Sequence, residues 1–212
     1  MAERDIRHRL IRRAGEANIV VTDYQLERLT TFLDLLFRWN RKINLTALTG
    51  VDEAIDRLLL EPLAAARHLP DTPGRLIDVG SGGGSPAIPL ALSQPEYELT
   101  MVESKARKAA FLREATRVLG LSRATVETTR FQALLSGSHR RGYTVFSVRA
   151  VRIEREVLIE LSGFLEDGGL GMVFRGPTGP DQVADAGPLL WAGTYPLLPT
   201  LGSRLTVFRL NI

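Results

Sequence analysis

Apolar positions in the first third of the chain recur at helical intervals. Leu26, Leu29, Leu33 and Leu36 follow Thr22 and Gln25, which have the spacing of a capping box, with Phe32, Phe37 and Trp39 nearby. This predicts one amphipathic helix ending near Asn40. Residues 3–17 read as a basic helix, and 51–60 and 62–69 as two helical pieces broken at Pro62. From Arg75 the period changes. Apolar runs predict strands at 75–79, 97–103, 124–128, 143–148, 168–174 and 204–210, with a weaker one at 191–198. Helices are expected between them at 86–93, 104–119 and 152–163, the second capped by Ser104 and closed by Gly120. Such alternation implies an α/β fold: a mostly parallel sheet with helices on both faces. The last two strands lie close enough for a terminal hairpin, which adds an antiparallel strand. Residues 176–190, rich in glycine and proline, read as loop with at most a short helix. The expected organisation is an N-terminal helical cap over 1–70 and a core over 71–212 forming one unit. No internal repeat or low-complexity segment interrupts it.

One junction carries most of the chemistry. The run Leu76, Ile77, Val79 ends in glycines at 80, 82, 83 and 84, followed by Ser85, Pro86 and the apolar stretch 87–92. This is the pattern of a buried strand, a tight turn and a helix start. Glycine permits positive φ and leaves no Cβ between a ligand and the main chain. Turns of this kind cradle nucleotide-like cofactors at the carboxyl end of a strand. Gly80, Gly82 and Gly84 spell G-x-G-x-G, with Ser85 where a dinucleotide fingerprint has its third glycine. Asp78 lies two residues before the first glycine. Glu103 ends the next apolar run, at roughly the ~20-residue offset where an acid accepts hydrogen bonds from ribose hydroxyls.

Composition narrows the field. The chain has 212 residues, 44% of them hydrophobic, enough for one domain with a small appendage. No run reaches the ~18–20 apolar residues of a bilayer span. The N-terminal arginines are not followed by the apolar stretch of a secretory signal. There is no cysteine, which excludes disulfides, thiolate nucleophiles and cysteine–zinc sites and suits a cytoplasmic protein. No metal site is expected. His8, His68 and His139 form no catalytic cluster. The net charge is +3, and all basic residues except Lys42, Lys105 and Lys108 are arginine. Arginine's planar fork suits phosphate and stacked bases, although arginine-preferring codons and ordinary solvated helix faces give the same composition.

Several segments together resemble one family. Trp39-Asn40-Arg41-Lys42-Ile43-Asn44-Leu45-Thr46 resembles the W-N-K-x-x-N-L-T segment of the RsmG/GidB family. Asp78 to Leu90 resembles its D-x-G-[ST]-G-x-G-x-P-G-I-P-L, itself a form of motif I of class I S-adenosylmethionine-dependent methyltransferases. Residues 103–114 resemble its E-S-x-x-K-[RK]-x-x-F-L-x-E, and Arg149-Ala150 the S/A-R-A that ends the fourth strand. The departures mark a divergent member. Arg57 to Pro62 occupies the family's R/K-H-x-x-D-S segment, so its histidine position is Leu58. Thr129-Arg130-Phe131 replaces R-A-E, Arg175 replaces the lysine of a K-G pair, and Ala87 replaces a glycine.

The resemblance implies a Rossmann-like class I methyltransferase with a seven-stranded sheet, using S-adenosylmethionine and releasing S-adenosylhomocysteine. It implies methylation of guanine N7 in 16S rRNA, as naked RNA or in the small ribosomal subunit, by a monomer with no membrane partner. It places Gly80, Gly82 and Gly84 around the methionine part of the cofactor, with Ser85 also at the cofactor and Glu103 on its ribose; Asp78 would order the turn or reach the cofactor's amino group through water, a purely structural role being the alternative. Arg130 and Phe131 would flank the adenine, and Arg149 would position cofactor or substrate. RNA contacts are expected from arginines and a lysine on the cap and on the carboxyl edge of the sheet: Arg38, Arg41, Lys42, Arg140, Arg141, Arg152 and Arg175. The alternatives are an inactive RNA- or ribosome-binding relative, a small-molecule methyltransferase, and a nicotinamide oxidoreductase.

Overall fold

The computed structural model describes residues 3–149, 153–178 and 183–211. Helix α1 (Glu3–Glu16) buries Ile6, Leu10 and Ala14; helix α2 (Asp23–Asn40) buries Leu26, Leu29, Phe32, Leu33 and Leu36. The Thr22–Gln25 capping box forms in both directions. The expected break at Pro62 is corrected. Helical backbone runs from α3 (Val51–Ile55) through a π turn (Asp56–Leu60) into α4 (Glu61–Ala65), with Pro62 in the first turn of α4. Proline has no N–H to give to the carbonyl of Leu58 or Arg57, the acceptors in α or π register. Side chains from the core supply those hydrogens instead, as described below.

A seven-stranded sheet follows, in the order β3 (Ala124–Glu127), β2 (Glu98–Val102), β1 (Arg75–Val79), β4 (Tyr143–Arg149), β5 (Leu165–Arg175), β7 (Arg204–Leu210), β6 (Leu189–Pro196). The first five are parallel; β7 runs antiparallel to β5 and β6. Helices α5 (Ala87–Ser93), α6 (Ala106–Leu119) and α7 (Arg155–Ser162) connect them. Strand β5 starts before the expected 168, where a register shift against β4 sits beside Gly168 (φ 76°). Strand β6 begins at Leu189, inside the expected loop.

Residues alternate between two apolar layers. Leu76, Met101, Val145 and Met172 share one cluster with the buried residues of α1, α2, α5 and α6. Ile77, Val102, Phe146 and Val173 share the other with Leu158 and Leu161 of α7. The N-terminal helices are thus packed into the layer on one face of the sheet. The chain runs outward through β1, β2 and β3, then returns to place β4 beside β1. That reversal opens a crevice at the carboxyl ends of β1 and β4, the place where open α/β sheets bind ligands. Among the described residues no helix is long and apolar enough to cross a membrane, and no group of three or more acidic or histidine side chains is placed to hold a metal.

Candidate active site

The turn after β1 rises over the end of β2, with Gly80 and Ser81 N–H groups donating to the Val102 carbonyl (2.9 and 3.1 Å). The glycines of this turn do different work. Gly80 (φ 75°) has open space where a Cβ would stand. A Cβ on Gly84 (φ 82°) would lie 2.8 Å from Ile88 Cδ1 and 3.3 Å from Phe32 and Leu112. Gly80 therefore leaves main chain open to a ligand, whereas Gly84 lets α2 and α6 close onto the turn.

Glu103 is buried behind the turn. Its Oε2 accepts the Gly82 N–H (3.0 Å) and its Oε1 accepts the Lys105 N–H (2.8 Å). Glu103 therefore holds the start of α6, and Ser104 makes no cap. Each carboxylate oxygen keeps a further lone pair. Glu103 lines a cavity of about 370 Å³ together with Val79, Gly80, Val102, Arg130 and Phe131. Phe131 also meets Phe164 edge to face (6.4 Å), while Arg130 is exposed. Open main chain on one side and a carboxylate with spare acceptor capacity on the other fit an adenosyl ligand.

Asp78 and Ser85 are not on this cavity wall. Asp78 is 1% exposed; its Oδ1 accepts the Ser147 hydroxyl (2.6 Å) and its Oδ2 has no partner. Burial pushes its pKa up to about 6, against the opposing pull of serine hydroxyls and the Arg149 charge. The Ser85 hydroxyl donates to the Leu58 carbonyl (2.9 Å), the acceptor Pro62 would have in α register. Arg57 O, its acceptor in π register, accepts from Arg149 Nη2 (3.1 Å).

Arg149, at the end of β4, also donates through Nη1 to Glu61 Oε2 (2.5 Å) and stands over the Phe174 ring (5.0 Å). Glu61 is 1% exposed, and its Oε1 and Arg149 Nε lack partners. Sequence reading missed Glu61 as a site residue. Its signal was faint: an acid just before proline, in an apolar run from Leu58 to Leu63.

The expected RNA contacts do not form one set. Arg38, Arg41 and Lys42 line a single groove between α2 and α6. Arg140 and Arg141 precede β4 and lie at the amino edge of the sheet, opposite the crevice, because the turn closes through Arg141 N–H to Gly163 O (2.9 Å). This corrects their placement on the carboxyl edge. Arg175 ends β5 and donates to Thr206 Oγ1 (3.3 Å). Arg152 lies outside the described residues.

Comparison with known proteins gives a consistent picture. Residues 25–188 match the GidB family, described as rRNA small subunit methyltransferase G. The chain is 39% identical over 160 residues to a ribosomal RNA small subunit methyltransferase G of Halorhodospira halophila, covering 76% of this chain and 74% of the relative. A protein of the same name from Roseiflexus castenholzii is 36% identical over 179 residues, covering 84% of this chain and 76% of the relative. A solved SAM-dependent methyltransferase from Aquifex aeolicus superposes with a TM-score of 0.57 over 74% of this chain and 93% of its own; at 9% identity it speaks to the fold, which is that of the class I methyltransferases.

Proposed function

This chain belongs to the GidB family of small-subunit rRNA methyltransferases, and from that premise we propose that it methylates N7 of a guanine in 16S rRNA, with S-adenosylmethionine as donor. The observation that carries the cofactor assignment is the pairing of open main chain at Gly80 with the Glu103 carboxylate across one cavity. In this reading Glu103 accepts from ribose hydroxyls without releasing the Gly82 and Lys105 N–H groups. Phe131 and Arg130 flank the adenine. Asp78 fixes the strand end through Ser147.

S-adenosylmethionine, held by Gly80 and Glu103, would supply a methyl carbon on a sulfonium; its transfer to the guanine N7 lone pair would break the S–CH3 bond, leave S-adenosylhomocysteine and need no deprotonation. The chain's task is therefore alignment and exclusion of water rather than acid–base chemistry. Arg149 is placed for alignment. Glu61, Arg57 O and the Phe174 face fix its guanidinium, and Nε remains uncommitted. Glu61 is in this sense a positioning residue for Arg149. An arginine at the carboxyl end of β4 also suits a substrate that carries phosphate. The site of action is then the cytoplasm, where ribosomal subunits reside.

The test is transfer of labelled methyl to small ribosomal subunits, and to deproteinised RNA, from a strain lacking this enzyme, followed by reductive strand cleavage at the labelled base. Cleavage at one guanine is expected. Label on RNA that resists cleavage would reject N7. No transfer, together with silent calorimetry against S-adenosylhomocysteine, would reject the enzyme.

A further inference from the structure

A groove larger than the cofactor cavity, about 660 Å³, lies between the cap and α6, lined by Leu35, Arg38, Trp39 and Arg41–Lys42 on the cap side and by Glu114 and Val118 of α6. We infer that this groove holds a single-stranded segment of the RNA substrate, its bases on the Trp39–Val118 surface and its phosphates on Arg41, Lys42 and Arg38. The inference rests on the RNA reading above and adds where that RNA is gripped.

Three features point to such an occupant. The groove is cationic. Among the described residues Arg41 and Lys42 have no ion-pair partner, while Arg38 pairs with Asp34 (3.0 Å). Its one acid, Glu114, is already held at both oxygens by Arg117 (2.9 Å each) and leaves the rim charge uncancelled. Its floor is apolar and aromatic. Val118 is an exposed large apolar residue, and Trp39 is half-buried with its ring against Phe111 (5.8 Å). Cations around an aromatic platform are the usual device for gripping unpaired nucleotides, whereas a protein partner favours a surface depleted of lysine.

The groove is also tied to the reaction site. Asn40 Oδ1 accepts the N–H groups of Leu45 (2.8 Å) and Thr46 (3.0 Å), and its Nδ2 donates to Thr46 O (3.0 Å). This fixes the loop that carries Arg41 and Lys42. The same loop covers the glycine turn, with Leu45 O 3.2 Å from the position of a Cβ on Gly83. RNA in the groove would therefore approach the transfer site along a rigid loop. Cations at the end of α2 also complement its carbonyl dipole, but that role would change stability and not RNA affinity.

The test uses the full chain and a single-stranded oligouridine probe. In a Trp191→Phe background Trp39 is the remaining tryptophan, and its fluorescence is expected to quench on titration. Arg41→Gln with Lys42→Gln should weaken the probe about tenfold and lower the slope of log affinity against log salt by about 1.4, two single-strand phosphate contacts. Val118→Asp, which leaves both cations in place, should weaken it similarly. Affinity for S-adenosylhomocysteine should not move in any of them. Variants that bind RNA like the unaltered protein, with the same salt slope, would overturn the groove and leave the RNA reading intact. Variants that lose small subunits yet keep deproteinised RNA would overturn it in favour of a ribosomal protein. An unaltered chain that binds no RNA would bring down the RNA reading as well.

Discussion

Two ionic clusters meet on opposite sides of the π turn and differ in how completely they are satisfied. On the α1 side, Arg9, Arg12 and Arg13 pair with Asp5, Asp52, Asp56 and Glu16, each bridging two acids. The three guanidinium pKa values are raised, chiefly by hydrogen bonds to Asp52 or Asp56. On the crevice side, the carboxyl groups of Glu61 and Asp78 are buried, Arg149 is partly exposed, and each of the three keeps one buried polar atom without a partner. A buried group left unmatched costs stability unless something else completes it. The first cluster fastens a helix. The second keeps polar atoms without a protein partner at the crevice, where the proposed cofactor and substrate would bind.

The sharpest break comes from Arg149→Ala. It strands Glu61, a carboxylate with almost no water around it, and should lower stability by about 3 kcal/mol in denaturant unfolding. Methyl transfer should fall by about two orders of magnitude or more, read as label incorporated per minute. The double variant Arg149→Gln with Glu61→Gln separates the two effects. It removes both charges, so stability should recover most of the loss while transfer stays low. Recovery of transfer in the double variant would show that the pair only holds the cap in place.

Asp78→Asn tests the same cluster through pH. Between the ordinary value of 3.8 and about 6, the folded chain retains a proton that the unfolded chain has released. Stability therefore falls as pH rises through that window, by about 3 kcal/mol in total for a group buried this completely. The asparagine variant has no such proton, so its unfolding free energy should lack that component of the slope. At pH 7 it should match or exceed the unaltered chain. Its affinity for S-adenosylhomocysteine should fall about tenfold if the carboxylate helps set the turn. A slope identical to that of the unaltered chain would show that Asp78 is already ionised well below pH 6.

Much of this architecture is legible from local pattern because local forces set it. The capping box at Thr22, the left-handed close of α6 at Gly120 and the strand–turn–helix at 75–93 each depend on neighbours a few residues away. Residues defined by distant partners were not legible. Where helical backbone passes Pro62, Ser85 and Arg149, 23 and 87 positions further along, donate to the two carbonyls that could have faced its missing N–H. The packing role of Gly84 shows only when Phe32 is seen against it. Ser104 looks like a cap until the Glu103 carboxylate is found on the Lys105 N–H. The motif showed which segment matters; only the packing assigned roles within it.

The α1 side should yield in graded fashion. Arg13→Ala exposes one oxygen pair of Asp56, a residue only 4% accessible within the π turn, and should cost about 2 kcal/mol. Because Asp56 directly precedes Arg57, whose carbonyl receives Arg149, a modest loss of transfer should accompany it. Arg12→Ala is the smallest change. Arg12 reaches Glu16 and Asp52 through side chains about half in water, where entropy and screening offset most of the attraction. Asp52 keeps Arg9 at 3.0 Å. The unfolding midpoint should therefore stay within error, the small residual difference should vanish at molar salt, and transfer should equal that of the unaltered chain. A clear loss of transfer in Arg12→Ala, with the midpoint unchanged, would mean that the α1 arginines touch the substrate. The contrast between a fastening cluster and a working one would then fail on its fastening side.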